Sequence, residues 1–186
     1  MGFIYTSRYN FAMAEHFYAK SIELCTKDDH ILKISRSNFL NNQIETCKFK
    51  EAFNLLQLEV SKNSRSHLTY SKLGYLYFLN QNIKIALAYF KLALTLFPSS
   101  FDALSNVALI LGNQNKEEFA IKICNNIFKY VPNHEKNICN LAQINFRKSN
   151  LKESKRIFEE FIEQNKKRDN IDAIKDLLCN KLFLSF

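Results

Sequence analysis

The sequence predicts an all-α solenoid built from antiparallel helix hairpins, and three observations carry that expectation. A small residue recurs every 34 positions at Ala52, Ala86, Ala120 and Ser154, and Pro98 and Pro132 repeat the same interval. Self-similarity at a fixed period of this size is the mark of stacked supersecondary units. With three Gly and two Pro in 186 residues, the chain lacks the turn punctuation that many short strands need, so helices joined by brief connections are favoured. Hydrophobic residues make up 47% of the chain, enough to build a continuous core.

The clearest unit is "YSKLGYLYFLNQNIKIALAYFKLALTLFP". Its Tyr70, Leu73, Gly74, Tyr77, Ala86, Phe90, Ala93 and Pro98 resemble the tetratricopeptide consensus W-x2-L-G-x2-Y, A-x3-F-x2-A, P, with Tyr70 in place of the Trp. The register recurs at Leu104, Val107, Ala108, Leu111, Ala120 and Pro132, then at Ile138, Leu141, Ala142 and Phe158, and earlier at Phe39, Phe49, Ala52 and Leu56. Close packing explains these residue types. A small residue in mid-helix lets the second helix of a hairpin approach the first, and the large side chain four residues on fills the space beside it. The resemblance implies a right-handed superhelix in which each hairpin buries its apolar faces against its neighbours.

The expected organisation is a partial repeat at 1–28, full repeats at 29–66, 67–100, 101–134 and 135–168, and a C-terminal capping helix at 169–186. Gly2, Tyr5, Phe11, Ala14 and Tyr18 occupy consensus columns, so the first repeat starts in mid-helix and Gly2 reads as a packing glycine. The competing reading of Met1-Gly2 and Thr6 as a myristoylation signal is set aside on that register. Near the end, Ile171, Ile174, Leu177, Leu178 and Phe183 follow helical spacing and complete no further repeat.

Nothing in the sequence suggests catalysis. Its three glycines leave no phosphate-cradling loop or nucleophile elbow. His16, His30, His67 and His134 are scattered, and Cys25, Cys47, Cys124, Cys139 and Cys179 form no C-x-x-C pair. No catalytic residue, metal site, cofactor or small-molecule substrate is expected. Cys124 falls in the aromatic column and Cys139 in a small-residue column, so both read as core thiols. The odd, dispersed cysteines, with no signal peptide, no N-glycosylation sequon and no run of about 20 apolar residues, fit a cytoplasmic, reducing environment and no membrane partner. The net charge of +8 is spread as zero over residues 1–60, +4 over 61–135 and +4 over 136–186, so no basic arm marks a nucleic acid as the expected partner.

The resemblance implies that the first helix of each hairpin lines a concave groove and contacts a peptide or helix of a partner protein through its solvent-facing columns. One column reads Asn38, Lys72, Asn106, Asn140; the next turn adds Asn41, Tyr75 and Gln143, and Lys136 and Asp102 stand near helix starts. An amide offers a donor and an acceptor, so it can hold a peptide group without demanding a particular side chain. The carboxylate clamp of chaperone-binding relatives is not reproduced: of Ser71, Tyr75, Asn106, Lys136 and Asn140, Asn106 and Lys136 alone match it. The expectation is a non-catalytic adaptor or assembly scaffold, with a section of a larger solenoid and weak nucleic-acid binding through basic surface as alternatives.

Overall fold

The computed structural model describes residues 10–24, 29–61 and 66–165, where the chain forms nine α-helices and no strand. They are α1 (Phe11–Leu24), α2 (Asp29–Glu45), α3 (Phe49–Ser61), α4 (His67–Leu79), α5 (Ile83–Leu96), α6 (Phe101–Asn113), α7 (Glu117–Tyr130), α8 (Glu135–Arg147) and α9 (Leu151–Asn165). The readings placed on Gly2 and on the 169–186 capping helix lie outside the described residues. The helices divide into two compact units, Met1–Ser64 and Arg65–Phe186.

In the first unit, α2 packs against α1 and α3. Ala14, Ala52 and Leu56 are fully buried, and Tyr18 nearly so. The Asn42 amide donates to the Phe11 carbonyl at 3.2 Å. Glu15 accepts from Lys48 at 2.7 Å and from Gln43 at 3.1 Å. The hydrogen bond from Lys48 is the main reason its carboxyl sits below the ordinary range.

The second unit holds three hairpins, α4–α5, α6–α7 and α8–α9, each packed on the next. Ala86 and Ala120 are 0% exposed and Ser154 is 2% exposed, so the 34-residue series is buried in every hairpin of this unit. Four residues on, Phe90 and Cys124 are fully buried and Phe158 almost so. Full burial of a side chain such as Phe90 stabilises by about 1.5–3 kcal/mol. At Phe97 and Val131 the backbone turns extended, φ −144° and −137°, just before Pro98 and Pro132, because proline disfavours helical geometry in the residue ahead of it.

The turn inside each hairpin is also periodic. Cys47, Gln81, Asn115 and Ser149 all have φ between 58° and 61°, and none is glycine. Each turn makes the same two bonds. The N–H of the left-handed residue donates to the carbonyl three residues back, and the next N–H (Lys48, Asn82, Lys116, Asn150) donates to the carbonyl five back at 2.8–3.0 Å. This is the Schellman arrangement, which satisfies carbonyls left open at a helix end.

Candidate functional site

The first helices of the second unit, α4, α6 and α8, lie in sequence beside one another, α6 touching both of the others. This adjacency brings together side chains 27–61 residues apart in the chain. The Lys136 ammonium lies 3.2 Å from the Asp102 carboxylate and 6.0 Å from the centre of the Tyr75 ring. One residue from each of three consecutive repeats thus forms a cation held between a carboxylate and an aromatic face. Lys136 is 60% exposed and Asp102 44%, so the ion pair adds at most about 1 kcal/mol of stability, and the group stays open to solvent.

Behind it stands His134, at the N-cap of α8. Its Nδ1 accepts from the Asn137 backbone N–H at 3.1 Å, and its Nε2 lies 3.7 Å from Asp102. Burial is the largest influence on the imidazole and lowers its pKa; Asp102 pulls the other way, and Lys136 reinforces the lowering. A histidine capping with Nδ1 must keep that nitrogen unprotonated. Asn137 itself is fully buried and donates to the Cys124 carbonyl at 3.0 Å, tying α8 to α7.

The asparagine column departs from its expected exposure. Asn106 is 6% exposed and Asn140 8% exposed. The Asn140 amide donates to both the carbonyl and the hydroxyl of Ser105 at 2.9 Å. The reason is the offset between neighbouring first helices: Asn140 faces the residue before Asn106, and the small Ser105 leaves room for it and supplies two acceptors. Asn140 therefore fastens α8 to α6. One turn on, Gln143 is half-buried, as are Lys72 and Tyr75 on α4. Asn38, half-buried, and Asn41, exposed, belong to α2 of the first unit.

Sequence reading did not single out Ser105 or the capping role of His134. The spacing of 35 between Ser105 and Asn140, one more than the repeat, is the signal that could have found the first. Among the described residues, no three His, Cys, Asp or Glu side chains gather as metal ligands. The Cys124 thiol is pushed up to about 12 by burial, leaving almost no thiolate near neutral pH. No helix among the described residues is long and apolar enough to cross a membrane.

A sequence profile of the tetratricopeptide repeat matches residues 68–100. The crystal structure of TTC0263, a thermophilic tetratricopeptide-repeat protein of Thermus thermophilus, superposes with a TM-score of 0.75 at 13% identity, covering 98% of this chain and 95% of that one. Residues 68–100 thus match a tetratricopeptide repeat, and the helical fold of the chain is that of tetratricopeptide-repeat proteins. Its helical repeat fold is also similar to YrrB, described as a tetratricopeptide-repeat protein with an unusual peptide-binding site, at a TM-score of 0.52 and 18% identity over 94% of this chain and 88% of that one. MamA is similar at a TM-score of 0.53 and 16% identity, over 90% and 95% of the two chains. At these identities the likeness is one of fold. No curated protein matches the sequence significantly. A tetratricopeptide fold is a protein-interaction module, and α4, α6 and α8 are the first helices of its repeats in the second unit.

Proposed function

We propose that the chain is a non-catalytic adaptor or assembly scaffold that holds a peptide segment or helix of a partner protein along the face of α4, α6 and α8. The observation that carries this reading is the assembly of Tyr75, Asp102 and Lys136 from three successive repeats into one solvent-open group. Such a group offers an aromatic surface, an acceptor and a cation within one side-chain length, a combination suited to a peptide with an acidic or amide group beside an apolar one. Asn106 and Gln143 extend the same columns, while Asn140 contributes through the donor bonds that fix α8. The likeness to YrrB, with its peptide-binding site, supports the choice of a peptide ligand.

Selection from an unbiased displayed peptide library against the full chain tests this. Selected peptides should lose at least about tenfold in affinity with Lys136→Glu and with Tyr75→Ala, and retain it with Lys129→Glu on α7. Peptides insensitive to both groove substitutions would overturn the proposal.

A second reading, a section of a larger solenoid assembly, is favoured by one likeness. A chain of the Naa15/Naa10 complex bound to HypK-THB matches at a TM-score of 0.50 over 88% of this chain but 24% of its own length. Under that reading, native size separation would place the chain in a stable large complex that survives the groove substitutions.

A further inference from the structure

The second helix of the first hairpin in the second unit, α5, carries an unbroken apolar stripe along its outward face. Ile85 is 39% exposed, Leu92 48% and Leu96 46%, and Ala88 between them is also exposed. These residues are spaced as one helical stripe at i, i+3, i+7 and i+11. In the following repeats the column of Ala88 holds Lys122 and Arg156 and that of Leu92 holds Asn126 and Glu160, while those of Ile85 and Leu96 hold the exposed Phe119 and Tyr130 on α7 and then Glu153 and Gln164. Within the second unit the middle of the stripe, Ala88 and Leu92, is therefore particular to α5 and is no requirement of the fold.

Its charge is one-sided. Lys84 and Lys91, a heptad apart, flank the stripe, and neither pairs with a carboxylate among the described residues. The sequence has no Asp or Glu between Glu59 and Asp102. Lys91 also borders a shallow cleft of about 390 Å³ that opens between α5 and α6, floored by Leu87, Leu94 and Val107. At 100° per residue Lys84 and Lys91 thus stand between the stripe and the cleft, with apolar surface on either side of them.

We infer that the outer face of α5 docks an acidic amphipathic helix of a partner protein, separately from the face of α4, α6 and α8. A stripe at heptad spacing fits a helix packed along α5, and Ala88 lets the backbones come close at its centre. Glutamates flanking the partner's apolar seam would meet Lys84 and Lys91. A second copy of the chain meeting this face through its own would set lysines against lysines with no nearby carboxylate to relieve them.

The test uses the full chain and two synthetic three-heptad helical peptides sharing one leucine seam, one with Glu and the other with Lys at the flanking positions. Fluorescence anisotropy should show saturable binding of the Glu peptide, weakened as salt rises, and at least about tenfold tighter than that of the Lys peptide. Leu92→Glu should abolish it, Lys84→Glu with Lys91→Glu should reverse the preference, and Lys136→Glu should leave it unchanged. Far-UV circular dichroism on each variant confirms retained helix, as expected for exposed sites. Equal affinity for both peptides, loss with Lys136→Glu, or a concentration-dependent dimer that Leu92→Glu dissolves would each overturn the assignment. So would adsorption to anionic phosphatidylserine vesicles that the Glu peptide fails to displace.

Discussion

Gly74→Ala tests how tightly the α4–α5 hairpin is closed. In the interior of a helix, glycine costs about 1 kcal/mol relative to alanine, so with free space the change would stabilise α4. Space is absent. A Cβ at residue 74 would stand 2.7 Å from Cε1, 2.8 Å from Cδ1 and 3.0 Å from Cζ of Phe90, where ordinary contact begins near 3.4 Å. The ring must retreat by about 0.7 Å, yet Phe90 is 0% exposed and packed among Ala86, Ala93, Ala103 and Ile110. Overpacking of this kind costs about 1–3 kcal/mol, which outweighs the propensity gain and leaves a net loss of about 1 kcal/mol. Urea unfolding followed by far-UV circular dichroism measures it. Phe90→Leu, which vacates ring volume, should make the alanine much less costly, with a coupling of at least about 0.5 kcal/mol in the double-mutant cycle. A gain of stability with Gly74→Ala alone, or strict additivity with Phe90→Leu, would refute the packing argument.

Three further outcomes follow from the described contacts. Asn140→Ala removes both donor bonds to Ser105 and should cost about 1–2 kcal/mol in the same unfolding assay, whereas Lys136→Ala at the exposed ion pair should stay within about 0.5 kcal/mol. The folded pKa of His134 lies below the usual 6.5, so its contribution is complete above about pH 6.5 and declines as the pH falls from there toward the folded value, because the unfolded chain takes up the proton first. Unfolding at pH 7.5 and 5.5 should show this loss, and His134→Asn, which keeps a capping acceptor, should reduce it. Gln81→Gly relieves a left-handed φ of 59° that costs a residue with a Cβ about 1–2 kcal/mol, against about 0.5–1 kcal/mol of glycine entropy. A rise in urea midpoint corresponding to about 0.5–1 kcal/mol is expected.

The fold class was legible because its physical cause is local. Close helix approach demands a small residue, and the buried series from Ala52 to Ser154 displays that demand at a constant interval. The hairpin turns were not legible, since Cys47, Gln81, Asn115 and Ser149 share no side-chain chemistry and none is the glycine that a left-handed turn usually advertises. At the candidate site, Tyr75 and Lys136 could be selected from their places in the repeat, but not as a group in which Lys136 meets both Asp102 and the Tyr75 ring. That meeting depends on how far one first helix is shifted along the next. The same shift buries Asn140 against Ser105, which a column read within single repeats treats as an open amide. His134 escaped notice as a cap because histidine is not among the usual N-cap residues.

The four left-handed turns have a bearing on folding order. Three of them, at Cys47, Gln81 and Ser149, occupy residues that resist this conformation in an isolated peptide, so those hairpins are not bent by their own loops in advance. What holds each reversal is the contact behind it, Gly74 closed against the Phe90 ring in one hairpin, Ser154 donating to the Ala142 carbonyl in another. At those three hairpins, closure of the turn is expected to follow helix docking rather than to direct it. Nucleation falls to helix pairs whose apolar faces meet first, and an excised hairpin should spend much of its time open at the loop.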